Sequence, residues 1–368
     1  MKSYKIFAIN PGSTSTKIAL FKNEEMFFSK NVAHDAAQLS SFKELSEQLP
    51  YRKDTILNLL KESGISLEGT DAFVGRGGGL LSMEGGTYEV DDTLLDHARR
   101  GENGVIHPAN LGSQIAHEFK HEYGGSAFVV NPPDIDEFQE VARITGVKEI
   151  FRTSHIHALN QKETAMHYAA LKNKKYEALN LVVAHIGGGI SVAAHRGGKM
   201  IDGNDNVGGD GPMAPTRAGS LPAADLIRLC FSGKHTQKEL LGRCMKDGGF
   251  VDHLGTADVL EILKRINGGD TYASIVYNAM IYQIIKAVGA MAAALEGKVD
   301  GILLGGGLVN DKELVKKIEQ SCSFIAPVTA YPGEFEMEAM AGGALRVLKG
   351  KEIIKKYSGI PAWPGFKV

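Results

Sequence analysis

The chain has 368 residues, of which 43% are apolar and 23% charged, a composition typical of a soluble globular protein. Its 41 basic and 43 acidic side chains nearly cancel, so no field of one sign is expected to recruit nucleic acid or a membrane surface. At this length two domains of about 150 to 200 residues each are the expected partition.

The cysteines predict a reducing compartment. Cys230, Cys244 and Cys322 are scattered without CxxC spacing, which argues against a disulfide framework and against a structural zinc site. The apolar run before Asn10 is too short for a signal-peptide core, and no run approaches membrane-spanning length. We therefore expect a cytoplasmic protein.

The first motif in chain order is the stretch NPGSTSTK, residues 10–17, between apolar runs at 4–9 and 18–21. This pattern predicts a strand, a hydroxyl-rich tight turn and a second strand. Backbone N–H groups, hydroxyls and one lysine suit an anion such as phosphate. A plain polar hairpin turn is the alternative.

An arginine within a glycine cluster comes next. Helical spacing at 38–49 and 54–61 predicts two helices with a break at Pro50. A short strand is predicted at 71–74, and the sequence GRGGG follows it. Glycines let the backbone at Arg76 approach a ligand closely, whereas a surface arginine in a flexible turn is the alternative.

A predicted helix at 110–123 contains HEFKH, which matches a zinc-protease motif. The apolar residues that define its buried face recur every four positions: Leu111, Ile115 and Phe119. Both histidines are about 200° away from that face and are expected to point at solvent. This placement argues against a metalloprotease.

Polar groups follow the predicted strand at 126–130. The stretch NPPDID places carboxylates just past a strand end, where α/β proteins gather their chemistry, although an Asx turn is equally natural. The sequence HIH at 155–157 leaves three possibilities open: a metal pair, a polar core histidine, or a histidine that donates to an anion.

The second half repeats the first hairpin. Residues 183–194, VAHIGGGISVAA, again run strand, tight turn and strand, and Asn10 aligns on His185 without a gap to Gly187. This repetition predicts a duplicated α/β domain with a nucleotide held between the copies.

The remainder contains a glycine-rich loop at 203–220, which includes TRAGS, and a strand at 300–304 that opens into GGGL. Helices are predicted at 223–231, 257–266, 272–295 and 337–349. The sequence has neither a P-loop nor a GxGxxG motif after a strand.

In this order the motifs resemble the acetate and butyrate kinases of the acetokinase family, within the superfamily of sugar kinases, actin and heat-shock ATPases. IHALNQK at 156–162 and DIDE at 134–137 are similar to the butyrate kinase branch. The resemblance implies an α/β, duplicated ribonuclease H-like (actin-like ATPase) fold with two domains flanking a nucleotide cleft. The expected domains are 1–150, completed by a helix at 337–357, and 151–336.

The implied activity is reversible, ATP-dependent phosphorylation of butyrate or a similar short-chain fatty acid to the acyl phosphate, by direct in-line transfer. ATP or ADP is the co-substrate, Mg²⁺ the cofactor, and a homodimer or higher homo-oligomer is expected, with no nucleic acid or membrane partner. Alternatives are a kinase for isobutyrate, propionate or acetate, a sugar kinase, or an actin-like nucleotide switch without an acid substrate.

The resemblance also implies roles for individual residues. Catalytic roles fall on Arg76, Asn131, His157 and Arg217, and substrate binding on Arg76 and His107. The nucleotide-binding positions are Asn10, Ser13, Ser15, Lys17, His185, Gly187, Gly188, Gly189, Gly305, Gly306 and Gly307. Magnesium is expected beside Asn10 and beside either Glu334 or Glu336, between which the resemblance does not choose.

Asn131 stands where family members commonly carry an aspartate. An amide neither takes a proton nor supplies a full charge to a magnesium shell. A carboxylic acid substrate, with a pKa near about 4, is already ionised at pH 7 and needs no base. Asn131 is therefore expected to weaken or relocate a positioning role, with Asp134 or Asp136 as candidates, without removing the reaction.

Overall fold

The computed structural model describes residues 2–366. The chain divides into two compact units: residues 2–136 with 335–366, and residues 137–334. Residues 137–150 thus belong with the second unit, and the chain returns to the first unit just before its last long helix. Each unit is built around its own mixed β-sheet.

The strands of the first unit are β1 (Lys5–Pro11), β2 (Ser15–Lys22), β3 (Glu25–Ala33), β4 (Ala72–Gly75), β5 (Thr87–Glu89) and β6 (Ser126–Val130). They lie in the order β3-β2-β1-β4-β6-β5. β1, β2 and β3 form an antiparallel meander, and β4 and β6 continue the sheet in parallel with β1. β5 pairs antiparallel with β6 at the edge.

The helices of the first unit are α1 (Ala36–Ser41), α2 (Gln48–Glu62), α3 (Asp92–Arg100), α4 (Leu111–Tyr123) and, from the end of the chain, α13 (Glu336–Leu348). Both α4 and α13 pack against the central strands β1, β4 and β6. The buried residues of α13 include Met337, Met340, Ala341 and Ala344, which confirms the predicted return of the chain to an existing core.

In the second unit the strands are β7 (Leu181–Ile186), β8 (Ile190–Arg196), β9 (Lys199–Gly203), β10 (Gly301–Gly306) and β11 (Val328–Pro332). Their order is β11-β10-β7-β8-β9. The helices are α5 (Glu140–Arg143), α6 (Ala158–Leu171), α7 (Ala223–Cys230), α8 (Gln237–Met245), α9 (Phe250–Leu254), α10 (Val259–Asn267), α11 (Thr271–Ala294) and α12 (Lys312–Cys322).

The two sheets share one topology. In each, an antiparallel meander of three strands is continued in parallel from its first strand, so β1-β2-β3-β4-β6 corresponds to β7-β8-β9-β10-β11. In both sheets a tight turn, closed by a glycine N–H, follows the first strand. Gly12 N donates to Ser15 O at 2.7 Å, and Gly187 N donates to Gly189 O at 3.1 Å. The predicted duplication is confirmed.

Two helices differ from expectation. The predicted break at Pro50 is wrong, because α2 runs from Gln48 and carries the proline in its first turn, where a missing N–H costs no intrahelical hydrogen bond. α11 has the length and mean hydropathy of a membrane span, against the expectation that no run approaches this length. Its apolar residues Val276, Met280, Ile284 and Val288 are buried in the core of the second unit, which accounts for this composition.

Candidate active site

A buried cation supports the first hairpin. Arg52 is fully buried on α2, and its Nη1 donates to Gly12 O at 2.9 Å and to Thr16 Oγ1 at 3.1 Å. Burial lowers the pKa of Arg52, yet a guanidinium remains charged at neutral pH. A positive charge therefore lies behind the turn that carries the exposed Ser13, an arrangement that favours an anion.

Polar side chains mark the end of β1. Asn10 is the cross-strand partner of Lys17, so both side chains project from the same side of the sheet. Asn10 Nδ2 donates to Glu336 Oε2 at 2.5 Å, at the start of α13. Lys17 is exposed and Ser15 is half-buried. The hairpin thus offers an amide, a cation and hydroxyls beside a carboxylate.

Arg76 follows β4 where that strand meets α4 very closely. A Cβ at Gly75 would overlap the carbonyl group of Gly112, so the approach requires glycine. The side chain of Arg76 is nine-tenths buried, and its Nε lies 3.6 Å from Glu336 Oε1. Among residues 2–366, Arg76 Nη1 has no hydrogen-bond acceptor. A substrate oxyanion would satisfy this donor.

His107 sits just before α4 and is held as a neutral imidazole. Its Nδ1 accepts from Ala109 N at 3.2 Å, so the neutral ring carries its proton on Nε2. Desolvation, together with the charges of Arg76 and Arg52, lowers the pKa of His107. At neutral pH this side chain is a hydrogen-bond donor without a charge.

Asn131, directly after β6, has a backbone role. Its φ of 38° lies in the left-handed region that asparagine tolerates better than most residues. The side chain is buried, and its Oδ1 accepts from Gly86 N at 2.8 Å. Asp134, the alternative candidate, accepts with Oδ1 from Leu80 N at 3.2 Å and from Asn103 Nδ2 at 2.6 Å.

Two histidines meet at the hairpin of the second unit. His185 ends β7, and His157 immediately precedes α6; their ring centroids are 4.0 Å apart, with 24° between the ring planes. His185 Nε2 also lies 4.0 Å from Glu334 Oε1. The two glutamates between which the resemblance did not choose are therefore in different units, Glu334 beside His185 and Glu336 beside Asn10.

Arg217 lies directly on the triglycine turn. A Cβ at Gly189 would overlap its guanidinium group, which is also hydrogen-bonded to Asn206 Oδ1 and to Met245 O. Thr216 Oγ1 donates to Gly188 O at 3.0 Å and ties this loop to the same turn. Burial lowers the pKa of Arg217 in spite of the nearby Asp205. The predicted arginine and phosphate turn are thus adjacent.

The glycines at the end of β10 complete this cluster. Gly305 is the parallel-strand partner of His185. Gly306 has a φ of 99°, and a Cβ there would overlap the carbonyl group of Ile186. A Cβ at Gly307 would meet nothing within 4 Å, so this backbone lies open to a flat base or a ribose.

Comparisons with known proteins show the family to which this chain belongs. The family model described as "Acetokinase family" matches residues 147–325. "Butyrate kinase 2" of Clostridium acetobutylicum is 47% identical over 96% of this chain and 99% of its own length. This chain belongs to the acetokinase family. A "Probable butyrate kinase" of Clostridium botulinum is 46% identical over 96% of the chain and 100% of its own length.

Solved structures of the acetokinase family share the fold. Porphyromonas gingivalis acetate kinase matches with a TM-score of 0.75 at 19% identity, covering 94% of this chain and 100% of that one. A propionate kinase from Francisella tularensis matches with a TM-score of 0.72 at 17% identity, covering 92% and 98%. These matches, together with the duplicated sheet topology, confirm the predicted fold class.

The histidine motifs outside the two clusters have other environments. In HEFKH, His121 is exposed as predicted, whereas His117 is half-buried with its Nδ1 enclosed. His155 Nδ1 contacts Asp205 Oδ2 at 3.0 Å, and the hydrogen bond from this imidazole is the largest cause that lowers the pKa of Asp205. Within residues 2–366 no group of three or more His, Cys, Asp or Glu side chains is placed to hold a metal ion.

Sequence reasoning missed the residues that support the site. Arg52 lies between the two segments predicted to be helical and was given no role. Gln161 entered only as part of the run at 156–162, and Ser191 and His195 were not singled out. A signal did exist for Ser191, since it is a polar residue within an otherwise apolar strand directly after the triglycine turn. The others gave none, because the residues they contact are distant in sequence.

Proposed function

We propose that this protein is a butyrate kinase, which transfers the γ-phosphoryl group of ATP to the carboxylate of butyrate or a similar short-chain fatty acid and forms the acyl phosphate reversibly. The observation that carries the proposal is the likeness, at 46–47% identity over 96% of the chain, to relatives named as butyrate kinases. The two clusters of polar and cationic groups support it.

In this proposal the first unit binds the acid. Arg76 offers a fork of N–H donors to the carboxylate, and its Nη1 lacks an acceptor among the described residues. His107, neutral with its proton on Nε2, adds a donor without adding charge. Asn131 acts through the backbone, because its side-chain oxygen is already bonded to Gly86 N. No general base is required, since the acceptor is ionised at pH 7.

The second unit binds the phosphates. The turn of Gly187, Gly188 and Gly189 presents backbone groups without side chains, and Arg217 lies against it. His157 and His185 stack beside the same turn and offer imidazole N–H groups to phosphoryl oxygens. We assign the adenosine end to Gly305, Gly306 and Gly307, where the open backbone lets a flat group approach.

The first hairpin would contribute further phosphate contacts. Ser13, Ser15 and Lys17 supply two hydroxyls and a cation, and the buried Arg52 places a second positive charge behind the turn. The chain has a net charge of −2, so long-range attraction offers no help with two anionic substrates. Local cations must offset the repulsion between carboxylate and phosphate, as expected for phosphoryl transfer.

The donor set also fits Mg²⁺. Asn10 and Glu336 lie together in the first unit and offer an amide oxygen and a carboxylate. In the second unit Glu334, beside His185, is a separate candidate. Magnesium in kinases is held by one or two carboxylates, nucleotide phosphates and water, so a dedicated cage of side chains is unnecessary. When bound, the ion neutralises charge on the phosphates. We propose Glu336, with Asn10, as its principal protein contact.

Hydroxamate trapping tests the function directly. The protein, Mg²⁺ and ATP are incubated with hydroxylamine and, in parallel, acetate, propionate, butyrate, isobutyrate or valerate. A hydroxamate signal that requires ATP and peaks at four or five carbons is expected, because hydroxylamine traps acyl phosphates. A maximum at acetate or propionate would move the protein to another branch of the family. No signal with any acid, from folded protein that binds ATP, would overturn the proposal.

We further propose a homodimer in the cytoplasm. α11 leaves Tyr272, Ile275 and Tyr282 51%, 65% and 63% exposed, and helical spacing places them on one face. Light scattering on a sizing column should give a dimer for the wild type and a monomer for Ile275→Glu, with Val141→Glu as the exposed apolar control. The three cysteines are free thiols, as expected in a reducing compartment.

A further inference from the structure

A continuous series of hydrogen bonds runs from His157 into the core of the second unit. His157 Nδ1 contacts Ser191 Oγ at 2.8 Å, and Ser191 Oγ contacts Gln161 Nε2 at 2.8 Å. Gln161 Oε1 contacts His195 Nε2 at 3.0 Å, and His195 Nδ1 contacts the Tyr176 hydroxyl at 2.7 Å. All members beyond His157 are buried.

The amide of Gln161 sets the direction of this series. Gln161 Nε2 also lies 3.1 Å from the backbone carbonyl oxygen of Ser191. A carbonyl oxygen only accepts, so the atom facing it must be the NH₂ group. The orientation of the amide thus follows from its partner, and the oxygen Oε1 must face His195.

The inner half of the series is then determined. His195 Nε2 must donate to Gln161 Oε1, which leaves Nδ1 of the neutral ring as an acceptor for the Tyr176 hydroxyl. Burial, assisted by the charge of Lys162, lowers the pKa of His195 to about 3, and burial raises the pKa of Tyr176 well above 10. Both groups are neutral at physiological pH, as this direction requires.

The outer half follows from the hydroxyl of Ser191. This oxygen accepts from Gln161 Nε2 and, at 3.3 Å, from the backbone N–H of His157. A hydroxyl has two lone pairs and one proton, so its own proton remains to be donated. Among residues 2–366, the neighbouring atom placed to accept it is His157 Nδ1, at 2.8 Å.

We propose that Gln161, His195 and Tyr176 are positioning residues that act through Ser191 to hold His157 as a neutral imidazole with its proton on Nε2. In the reaction this proton would be donated to a phosphoryl oxygen, so His157 contributes a directed hydrogen bond and no cation. The role in the reaction rests on the proposed kinase function. The hydrogen-bond direction does not.

The stacked ring of His185 is consistent with a neutral His157. A proton on Nδ1 would oblige Ser191 Oγ to accept a third hydrogen bond and to redirect its own proton. If both rings were protonated, two like charges would lie about 4.0 Å apart. The tautomer of a functional histidine is commonly fixed by a hydrogen bond to the ring nitrogen that does not meet the ligand.

Nitrogen-15 NMR of histidine-labelled protein at pH 7 tests the proposal, with the His157 signals assigned by their loss in His157→Gln. Expected is a protonated Nε2 and an unprotonated Nδ1. In Gln161→Met the His157 signals should move toward a mixture of tautomers, and kcat should fall about tenfold or more with a smaller change in KM. A doubly protonated or Nδ1-protonated His157 in the wild type would overturn the proposal, as would unchanged His157 signals in Gln161→Met.

Two tyrosine variants distinguish an effect of the hydrogen-bond series on His157 from a general effect of altered packing. Tyr176→Phe removes the terminal donor and should shift the His157 signals in the same direction by a smaller amount. Tyr168→Phe, which loses a buried hydroxyl bonded to Asp300 O in the same core cluster, should leave them unchanged. If Gln161→Met fails to fold, the contrast between these two variants decides. Equal shifts in both would overturn the proposal.

Hydroxamate formation and the NMR signals of His157 test two different proposals. If no acid yields a hydroxamate, the kinase function is wrong, while the tautomer of His157 still tests the hydrogen-bond series. If hydroxamate forms normally but His157 carries its proton on Nδ1, the function stands and the positioning role is wrong.

Discussion

The imidazoles of His157 and His185 stack with their centroids 4.0 Å apart, although the two residues come from different elements, α6 and β7. The contact joins the start of a helix to the end of a strand at the triglycine turn. The two side chains therefore form one structural group, and replacing either one changes the surroundings of the other.

This contact predicts non-additive kinetics. His157→Asn and His185→Asn should each lower kcat/KM, and the double variant should lose less than the product of the two single losses, with a coupling of about 0.5 kcal/mol or more. His253→Asn serves as the control partner, because that ring lies on the surface beside Tyr272. If the effects of His157→Asn and His185→Asn on kcat/KM were strictly additive, the stacking contact would not contribute to catalysis.

Arg76 is predicted to matter far more for turnover than for stability. Arg76→Ala should lower kcat/KM about a hundredfold or more, because the substrate carboxylate loses the paired N–H donors that hold it in position for attack. Arg76→Lys should recover little, because a point charge replaces a planar fork of donors. Steady-state kinetics beside denaturant unfolding provide the measurement.

The control for Arg76 is Arg265→Ala. The Arg265 guanidinium pairs with Asp270 and donates to Leu254 O in the second unit. Arg265→Ala therefore shows the effect of losing an ion pair at an arginine that is not expected to contact a substrate. Turnover close to that of the wild type in Arg76→Ala would remove the residue from the mechanism.

The local motifs were predictable from sequence because each is short and lies at a strand end. The hairpin of β1 and β2, its repeat at β7 and β8, and the turn that carries Arg76 all have adjacent apolar strands and obligatory glycines. Geometry of this kind is encoded within about ten residues, so the periodicity of the strands and the turn residues suffices.

The supporting elements were not predictable for a physical reason. α6 has no purely apolar stripe, because its buried residues mix apolar side chains with Asn160, Gln161, Lys162 and Thr164. β3 is mostly exposed and lacks alternation. The separation of Glu334 from Glu336 depends on which unit each residue joins, and a difference of two positions in sequence does not contain that information.

The contact between Gly189 and Arg217 predicts a large effect from a single methyl group. Gly189→Ala places a Cβ in the space of the guanidinium, so Arg217 must move and kcat should fall nearly as far as in Arg217→Ala. Gly146→Ala is the control, because a Cβ there meets nothing within 4 Å. Activity assays on the three variants give the comparison, and a fully active Gly189→Ala would mean that the position of Arg217 is unimportant.

Asn131→Asp is predicted to have a small effect. Aspartate also tolerates a φ of 38°, and its carboxylate oxygen accepts from Gly86 N just as the amide oxygen does. Because the acid substrate needs no base, activity should change by less than about a hundredfold. Asn131→Ala should instead lose stability, since Gly86 N loses its acceptor and the left-handed backbone becomes strained. A larger gain of activity in Asn131→Asp would restore a catalytic role to this position.

Acid is predicted to destabilise both units through one buried histidine in each. Burial lowers the pKa of His195 to about 3, and burial with the nearby charge of Arg52 lowers the pKa of His34 to about 4, against an ordinary value of 6.5. Below pH 6.5 the unfolded chain binds protons that the folded chain does not, so the free energy of unfolding falls as the pH falls. For His195 the loss between pH 7 and pH 5 is about 2 kcal/mol.

Urea unfolding at several pH values between 7 and 5 measures this loss. His195→Asn is expected to lower the free energy of unfolding at pH 7. It should also reduce the number of protons taken up on unfolding below pH 6.5 by about one, because asparagine does not titrate. His34→Asn should act in the same way, and His121→Asn, at an exposed position, should leave the slope unchanged. A wild-type stability that stays constant from pH 7 to pH 5 would mean that the folded chain binds protons as readily as the unfolded chain, and would contradict the lowered pKa values of both histidines.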